Sequence, residues 1–254
     1  MNKPLKLNCK ISDLFKAAMG IAAVDGGFII GLHIMTFLLN YIGLKFQPNL
    51  IQDFPFGLNK GTFLILLISN INLAVIIYRI AGLTRGVKHN ASTCYKQAFA
   101  RLPSIIILYM LALICIMLLV SLVMLLFGTQ VVETLPRYKH ILTFAIFAMI
   151  PYGVMAYISV IDQDKSPLQA ISAMLNTVFN KLSFGLLVNI SVFYTLPLSI
   201  GILILNTSLA QYIELINAIW FLFCHIVTVI IYTSVDMLNN QHPNNKKPIK
   251  VVVI

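Results

Sequence analysis

The strongest constraint in this sequence is a series of long segments that carry no Lys, Arg, Asp or Glu. A helix needs roughly 18 to 20 apolar residues to cross a hydrocarbon core about 30 Å thick. Six segments reach that length: Gly26–Leu44, Gly61–Tyr78, Leu102–Val132, His140–Ile161, Leu182–Ile213 and Leu215–Val235. Their apolar residues are continuous rather than alternating, which predicts membrane helices and argues against the strands of a membrane barrel.

Composition supports a chain whose main solvent is lipid. Of its 254 residues, 59% are hydrophobic and only 10% are charged, whereas soluble domains carry roughly 25% charged residues. So few charges cannot cover a surface that faces water. We therefore predict a single integral membrane domain over residues 1–254, and we attribute the net charge of +10 to topology rather than to a nucleic-acid partner.

The predicted fold class is all-α, a polytopic membrane helix bundle with six transmembrane helices. Six spans put both termini on the same side, and 14 of the 18 basic residues fall on that side. Because basic residues mark the cytoplasmic side, both termini are expected to be cytoplasmic. The predicted spans are residues 20–44, 61–82, 104–127, 140–161, 182–205 and 213–235, and residues 239–254 form a basic cytoplasmic tail.

Three amphipathic segments precede spans one, three and five. They are residues 10–19, 92–101 and 167–181; the last begins with Ser166, Pro167 and Gln169, which suit a helix start. This layout predicts three hairpin units, each preceded by a helix lying in the cytoplasmic interface. Their apolar stripes are expected to bury against acyl chains or against the bundle, and their basic faces to meet anionic lipid headgroups. The expected partners are thus the lipid bilayer and its anionic headgroups, with other membrane proteins or a second copy as further candidates.

Two stretches resemble a known family, the YciC-like inner-membrane proteins of enterobacteria and their relatives. They are CYKQAFARLPSIIILYMLAL (94–113) and IPYGVMAYISVIDQDKSPLQAISAMLNTV (150–178). The chain departs from the family pattern in its PYG, where a Pro-Gly pair is expected, and in its longer basic tail. The resemblance implies a six-span architecture and a bacterial inner-membrane location, and it implies no active-site residues.

Polar residues within the spans are the candidate functional residues, because ionisable groups are costly in lipid. Asp25, Arg79, Asp162 and Asp236 fall at the cytoplasmic ends of their helices, where they could line a polar mouth or simply pair with one another, with Lys16 or Arg85, or with water. Deeper in the spans lie His33 and His225. Thr228 and Tyr232 lie on the same helix face as His225. Two interpretations of each histidine remain open: a neutral imidazole hydrogen-bonded to a neighbouring helix, or part of a proton or ligand site.

Small residues at a spacing of four, Ala23, Gly27 and Gly31, predict close helix packing in the first span. No spacing typical of a metal site is present, and no catalytic motif such as HExxH or GxSxG, so neither metal, cofactor nor enzymatic activity is expected. The leading hypothesis is a non-enzymatic inner-membrane protein that scaffolds or modulates envelope processes. The alternatives are a small transporter or channel, with a polar route from Asp25, Asp162 and Asp236 towards the histidines, and an intramembrane enzyme acting on lipid.

Overall fold

The computed structural model describes residues 11–46, 60–127, 139–204 and 213–240, and these ranges contain seven α-helices and no strand. The predicted all-α class is confirmed for this part of the chain. The helices are α1 (Ile11–Phe46), α2 (Lys60–Thr84), α3 (Ala91–Phe127), α4 (Lys139–Asp162), α5 (Pro167–Asn176), α6 (Phe184–Ile204) and α7 (Ile213–Asn240). A π-helical segment, Thr177–Lys181, extends α5.

Among the residues that the structure describes, four helices are long and apolar enough to cross a membrane. The qualifying segments are Ser12–Tyr41, Leu64–Thr84, Phe144–Asp162 and Leu215–Met237, and Phe184–Leu196 is a shorter apolar helix. The predicted interfacial segments are also helical where the structure describes them. The second runs directly into the following long helix, the first is followed by a kink in α1 at Asp25, and the third is separated from α6 by extended backbone at Leu182. The predicted tail falls almost wholly outside the described residues.

The chain divides into two compact units. One, here the α1–α2 unit, comprises Cys9–Leu102 and His225–Ile254; the other, the α4–α6 unit, comprises Met1–Asn8 and Pro103–Cys224. Helices α3 and α7 each contribute one end to each unit.

In the α1–α2 unit, α1 packs along α2. The apolar core of this unit includes Ala74, Val75 and Ile77 of α2, which are fully buried. Side-chain hydrogen bonds also join the two helices: Asn72 Nδ2 donates to Thr36 Oγ1 at 3.0 Å. Such bonds contribute modestly to helix association in lipid, on the order of 0.6 kcal/mol each, so packing supplies most of the attraction.

In the α4–α6 unit, α4 packs against both α5 and α6, and a proline determines how α6 meets α7. Pro197 has no backbone N–H, so the carbonyl of Phe193, four residues earlier, loses its helical donor. Trp220 of α7 replaces that donor, since its indole Nε1 lies 2.8 Å from the Phe193 oxygen. An unsatisfied carbonyl is especially costly where no water can reach it, so this contact fixes α7 against α6.

The packing predicted for Ala23, Gly27 and Gly31 is not made within the described part of the chain. All three residues are exposed, and a Cβ placed on Gly27 or Gly31 would meet no atom within 4 Å. The buried face of α1 is formed instead by larger side chains, among them Leu14, Ile21 and Ile29. Small residues permit close approach, but here the bulky face of the helix buries more apolar surface.

A double-mutant cycle tests the replacement of the missing donor. Trp220→Phe leaves the Phe193 carbonyl with only the weak thiol donor of Cys224, 3.6 Å away, and should lower the free energy of unfolding by about 1 kcal/mol. Pro197→Ala restores the backbone donor, so Trp220→Phe should cost clearly less in that background. The measurement is unfolding in detergent micelles for all four proteins. An equal cost of Trp220→Phe in both backgrounds would show that only ring packing is lost.

Candidate functional site

Asp25 lies at a break in α1. Its backbone angles, φ −146° and ψ 19°, are not helical, although helix continues on both sides. Gly26 and Gly27 follow it, and glycine is among the poorest helix formers, so the local sequence favours a break here. The Asp25 side chain is buried. A carboxylate in such surroundings requires hydrogen-bonding partners of opposite charge.

Arg79 of α2 supplies the first partner. Its Nε lies 2.5 Å from Asp25 Oδ2 and its Nη2 lies 3.0 Å from Oδ1. This two-point contact matches the planar guanidinium to the carboxylate and is the strongest geometry for such a pair. The guanidinium is itself buried and lies 5.1 Å from the centre of the Phe28 ring, where a cation is attracted to the aromatic face.

Lys88 supplies a second cation. Its Nζ lies 3.1 Å from Asp25 Oδ1 and 3.5 Å from the carbonyl oxygen of Val24, immediately before the break. The Lys88 side chain is 54% exposed, so it closes the buried pair from the solvent side. One carboxylate thus meets two cations, and these three groups together carry one net positive charge.

The turn between α2 and α3 positions Lys88 beside Asp25. The N–H of Val87 donates to the Gly82 carbonyl and that of Gly86 to the Leu83 carbonyl, the bond pattern of a Schellman cap, with Gly86 in the left-handed conformation at φ 79°. Asn90 then caps α3, its Oδ1 accepting the N–H of Thr93 at 2.7 Å.

Gly82 is required in this link because the chain folds back onto it. The His89 ring stacks on Tyr78, with centroids 4.7 Å apart. A Cβ on Gly82 would lie 2.4 Å from His89 Cδ2 and 2.7 Å from the Val87 carbonyl oxygen.

Lys88 was not among the site residues predicted from the sequence. The available signal was the glycine after α2 and the asparagine before α3, which together fix the turn that carries it.

Cys94 is buried in the first turns of α3, in the same unit as this cluster. Burial raises the pKa of the Cys94 thiol above its ordinary value, because an apolar environment disfavours the charged thiolate. The sulfur therefore stays protonated at neutral pH and is a poor nucleophile.

The other candidate residues are placed as follows. Asp236 pairs with Arg85, whose Nη2 lies 3.2 Å from its Oδ2, and both side chains are partly exposed. Asp162 ends α4 in the other compact unit. Thr228 and Tyr232 are buried on α7, while His33 and His225 are partly buried. The structure thus joins Asp25 to Arg79 and Asp236 to Arg85, the arrangement expected if these charges pair with one another.

The arrangement at Asp25 suits holding helices together or binding an anion at Lys88. Across residues 11–46, 60–127, 139–204 and 213–240, no group of three or more His, Cys, Asp and Glu side chains could hold a metal ion.

Removing one member of the buried pair should be costly. Arg79→Met leaves the Asp25 carboxylate buried with Lys88 alone, and the expected loss is about 3 to 5 kcal/mol in the free energy of unfolding. Arg85→Met is the matched control, because its pair is partly exposed and should cost about 1 kcal/mol or less. Unfolding in detergent micelles measures both.

The double variant Asp25→Leu/Arg79→Met should recover most of the loss, since an apolar pair leaves no uncompensated charge. A loss for Arg79→Met no larger than that for Arg85→Met would contradict a structural role for the buried pair.

Comparison with known proteins adds no relative. No protein-family model, no curated protein and no solved structure matches this chain. The resemblance to the YciC-like proteins accordingly stays an expectation drawn from residues 94–113 and 150–178, and the functional conclusion depends on the geometry described above.

Proposed function

We propose that the chain is a non-enzymatic, six-span protein of the bacterial inner membrane that scaffolds or modulates envelope processes by binding. The observation that carries the proposal is that the buried Asp25 carboxylate already has ion-pair partners. The Asp25 carboxylate already holds Arg79 and Lys88, so these groups are used to join α1, α2 and the link to α3. The surfaces left for partners are then those of the helices at the membrane boundary.

The six-span arrangement in three hairpins is supported by contacts between successive long helices. Helix α1 packs along α2. The Tyr109 ring of α3 meets the Tyr157 ring of α4 edge-on, with centroids 6.1 Å apart, and Trp220 of α7 bonds to α6. The division of basic residues, 14 against 4, supports a cytoplasmic position for the interfacial segments and both termini.

Anionic lipid headgroups are the proposed partners of the first two interfacial segments. Lys16 on the first segment and Lys96 on the second are both exposed. A basic residue near the surface of an anionic leaflet contributes about 1 kcal/mol to attraction. These side chains therefore favour a cytoplasmic leaflet that contains anionic lipid.

A transporter or channel is the second candidate, favoured by the break in α1. Discontinuous helices line the binding sites of many secondary transporters, and the break here coincides with a buried carboxylate. If Lys88 swings away, Asp25 becomes accessible from the solvent side. The proposed polar route then leads from Asp25 towards His33 and His225, which lie in the same compact unit.

Topology reporters test the span count. Fusions at Asn59 and Asn206 should read as periplasmic, and a fusion at Lys88 as cytoplasmic, because an excess of basic residues is retained inside. Alkaline phosphatase and a fluorescent protein serve as opposite reporters at each position. A cytoplasmic reading at Asn59 would overturn the six-span scheme.

Glutamine variants of the two histidines separate binding from transport. Glutamine keeps hydrogen-bonding capacity but cannot carry a proton near neutral pH. In a scaffold, His33→Gln and His225→Gln should accumulate normally in the membrane and rescue a deletion phenotype fully. Normal accumulation with lost rescue would favour the transporter.

A further inference from the structure

Helix α5 and the π-helical segment after it present three distinct faces. Ala170 and Thr177 are buried, and α5 packs against α4. Residues seven apart lie two turns along the same face of a helix, so Ala170 and Thr177 mark the packed side. Leu168 and Leu175, two positions earlier in each case, lie roughly 200° around the helix at 100° per residue.

This opposite face is apolar and exposed. Leu168 and Phe179 are each 70% exposed, and Leu175 is 45% exposed. From the sequence, this apolar face was expected to be buried either against the helix bundle or against lipid acyl chains. Within the described part of the chain the bundle does not cover it. Phe184, at the start of α6, is 80% exposed as well.

The third face is polar and carries no charge. Its exposed members are Gln169, Ser172, Asn176 and Asn180, and no charged residue occurs between Ser166 and Asn180. The other two interfacial segments carry charge along their length, Lys16 in the first case and Lys96 with Arg101 in the second, whereas the lysine of the third segment, Lys181, is its last residue. Helix α5 therefore lacks the basic face expected of the interfacial segments.

Its neighbours fix where α5 lies. It begins five residues after the end of α4 at Asp162 and is followed by α6 at Phe184, and both neighbours are apolar helices. If α4 and α6 cross the membrane as proposed above, the segment between them is held at the boundary where one ends and the other begins. An exposed apolar face at that depth meets acyl chains.

We infer that α5, with Thr177–Lys181, inserts its apolar face between loosely packed lipids and responds to lipid packing rather than to surface charge. This inference rests on the proposed membrane location. Membrane affinity of an interfacial helix has an apolar term and an electrostatic term. Charge occurs only at the two ends of this segment, at Lys165 and Lys181, so the apolar term is the larger one, and it depends on the gaps between lipids into which Leu168, Leu175 and Phe179 can enter.

The test places a trifluoromethyl-phenylalanine at position 179 of the full chain, reconstituted in large vesicles. Dissolved oxygen concentrates in hydrocarbon and a nickel chelate stays in water, so the ratio of their ¹⁹F relaxation effects reports depth. Three lipid mixtures are compared: palmitoyl-oleoyl phosphatidylcholine, the looser dioleoyl lipid with added dioleoylglycerol, and the first lipid with part replaced by phosphatidylglycerol. A second reporter at position 99, an exposed Phe beside Arg101, allows position 179 to be compared with a segment that carries charge along its length.

At position 179 the depth ratio should rise severalfold in the looser mixture and should change much less with phosphatidylglycerol or salt than the ratio at position 99. At position 99 it should rise with phosphatidylglycerol and fall again with salt. A Ser172→Lys/Asn176→Lys variant should make position 179 sensitive to phosphatidylglycerol as well. A position 179 that follows phosphatidylglycerol in the unaltered chain, or that is shielded from both oxygen and nickel by another protein, would overturn the inference.

A third reporter at Met149, an exposed residue of α4, separates the two levels of the proposal. If position 149 is deep in hydrocarbon and position 179 is in water in every mixture, α4 crosses the membrane and the inference about α5 is wrong. If position 149 is itself in water, the proposed membrane crossing is wrong, and the inference that rests on it is overturned with it.

Discussion

The contact between Asp25 and Arg79 is the interaction on which the α1–α2 unit depends. The helix break at Asp25 places a carboxylate in buried surroundings, and only a cation with matched geometry can keep it there. Arg79 meets that need from α2, and Lys88 meets it from the link to α3. A single broken turn therefore fixes the relation of α1 to two other parts of the chain.

The same requirement, that polar groups be satisfied without water, explains the contact between α6 and α7. Pro197 has no backbone N–H to donate to the Phe193 carbonyl, and the indole N–H of Trp220 donates to that carbonyl instead. In a soluble protein water could fill such a gap, whereas in hydrocarbon another protein group must do so. Here a residue that weakens one helix specifies where the next helix packs. The charge pair and the proline contact thus act alike, since each turns a local defect into a contact between helices.

The three segments proposed to lie at the membrane boundary differ in chemistry. Two carry lysines on exposed faces, and α5 carries amides and hydroxyls beside exposed leucine and phenylalanine. In the proposed arrangement the headgroups would attract the charged segments, whereas α5 would be held in the interface mainly by its apolar face. One protein would then contact the same leaflet in two ways, one governed by lipid charge and the other by lipid packing.

The sequence by itself determined the helical class, the apolar segments and the candidate residues Asp25 and Arg79, because length, periodicity and the cost of charge in lipid are local properties. The start of α5 was also readable, and Gln169 Oε1 accepts the Ser166 N–H there. Only the tertiary structure decided which faces pack: Lys88 reaches the site through a turn, Ala23, Gly27 and Gly31 face outward, and the α5 stripe is left uncovered. The physical reason is that lipid tails are as apolar as a protein core, so an apolar side chain is nearly as stable facing lipid as facing another helix. The pattern of apolar residues therefore identifies the helices but cannot identify their neighbours.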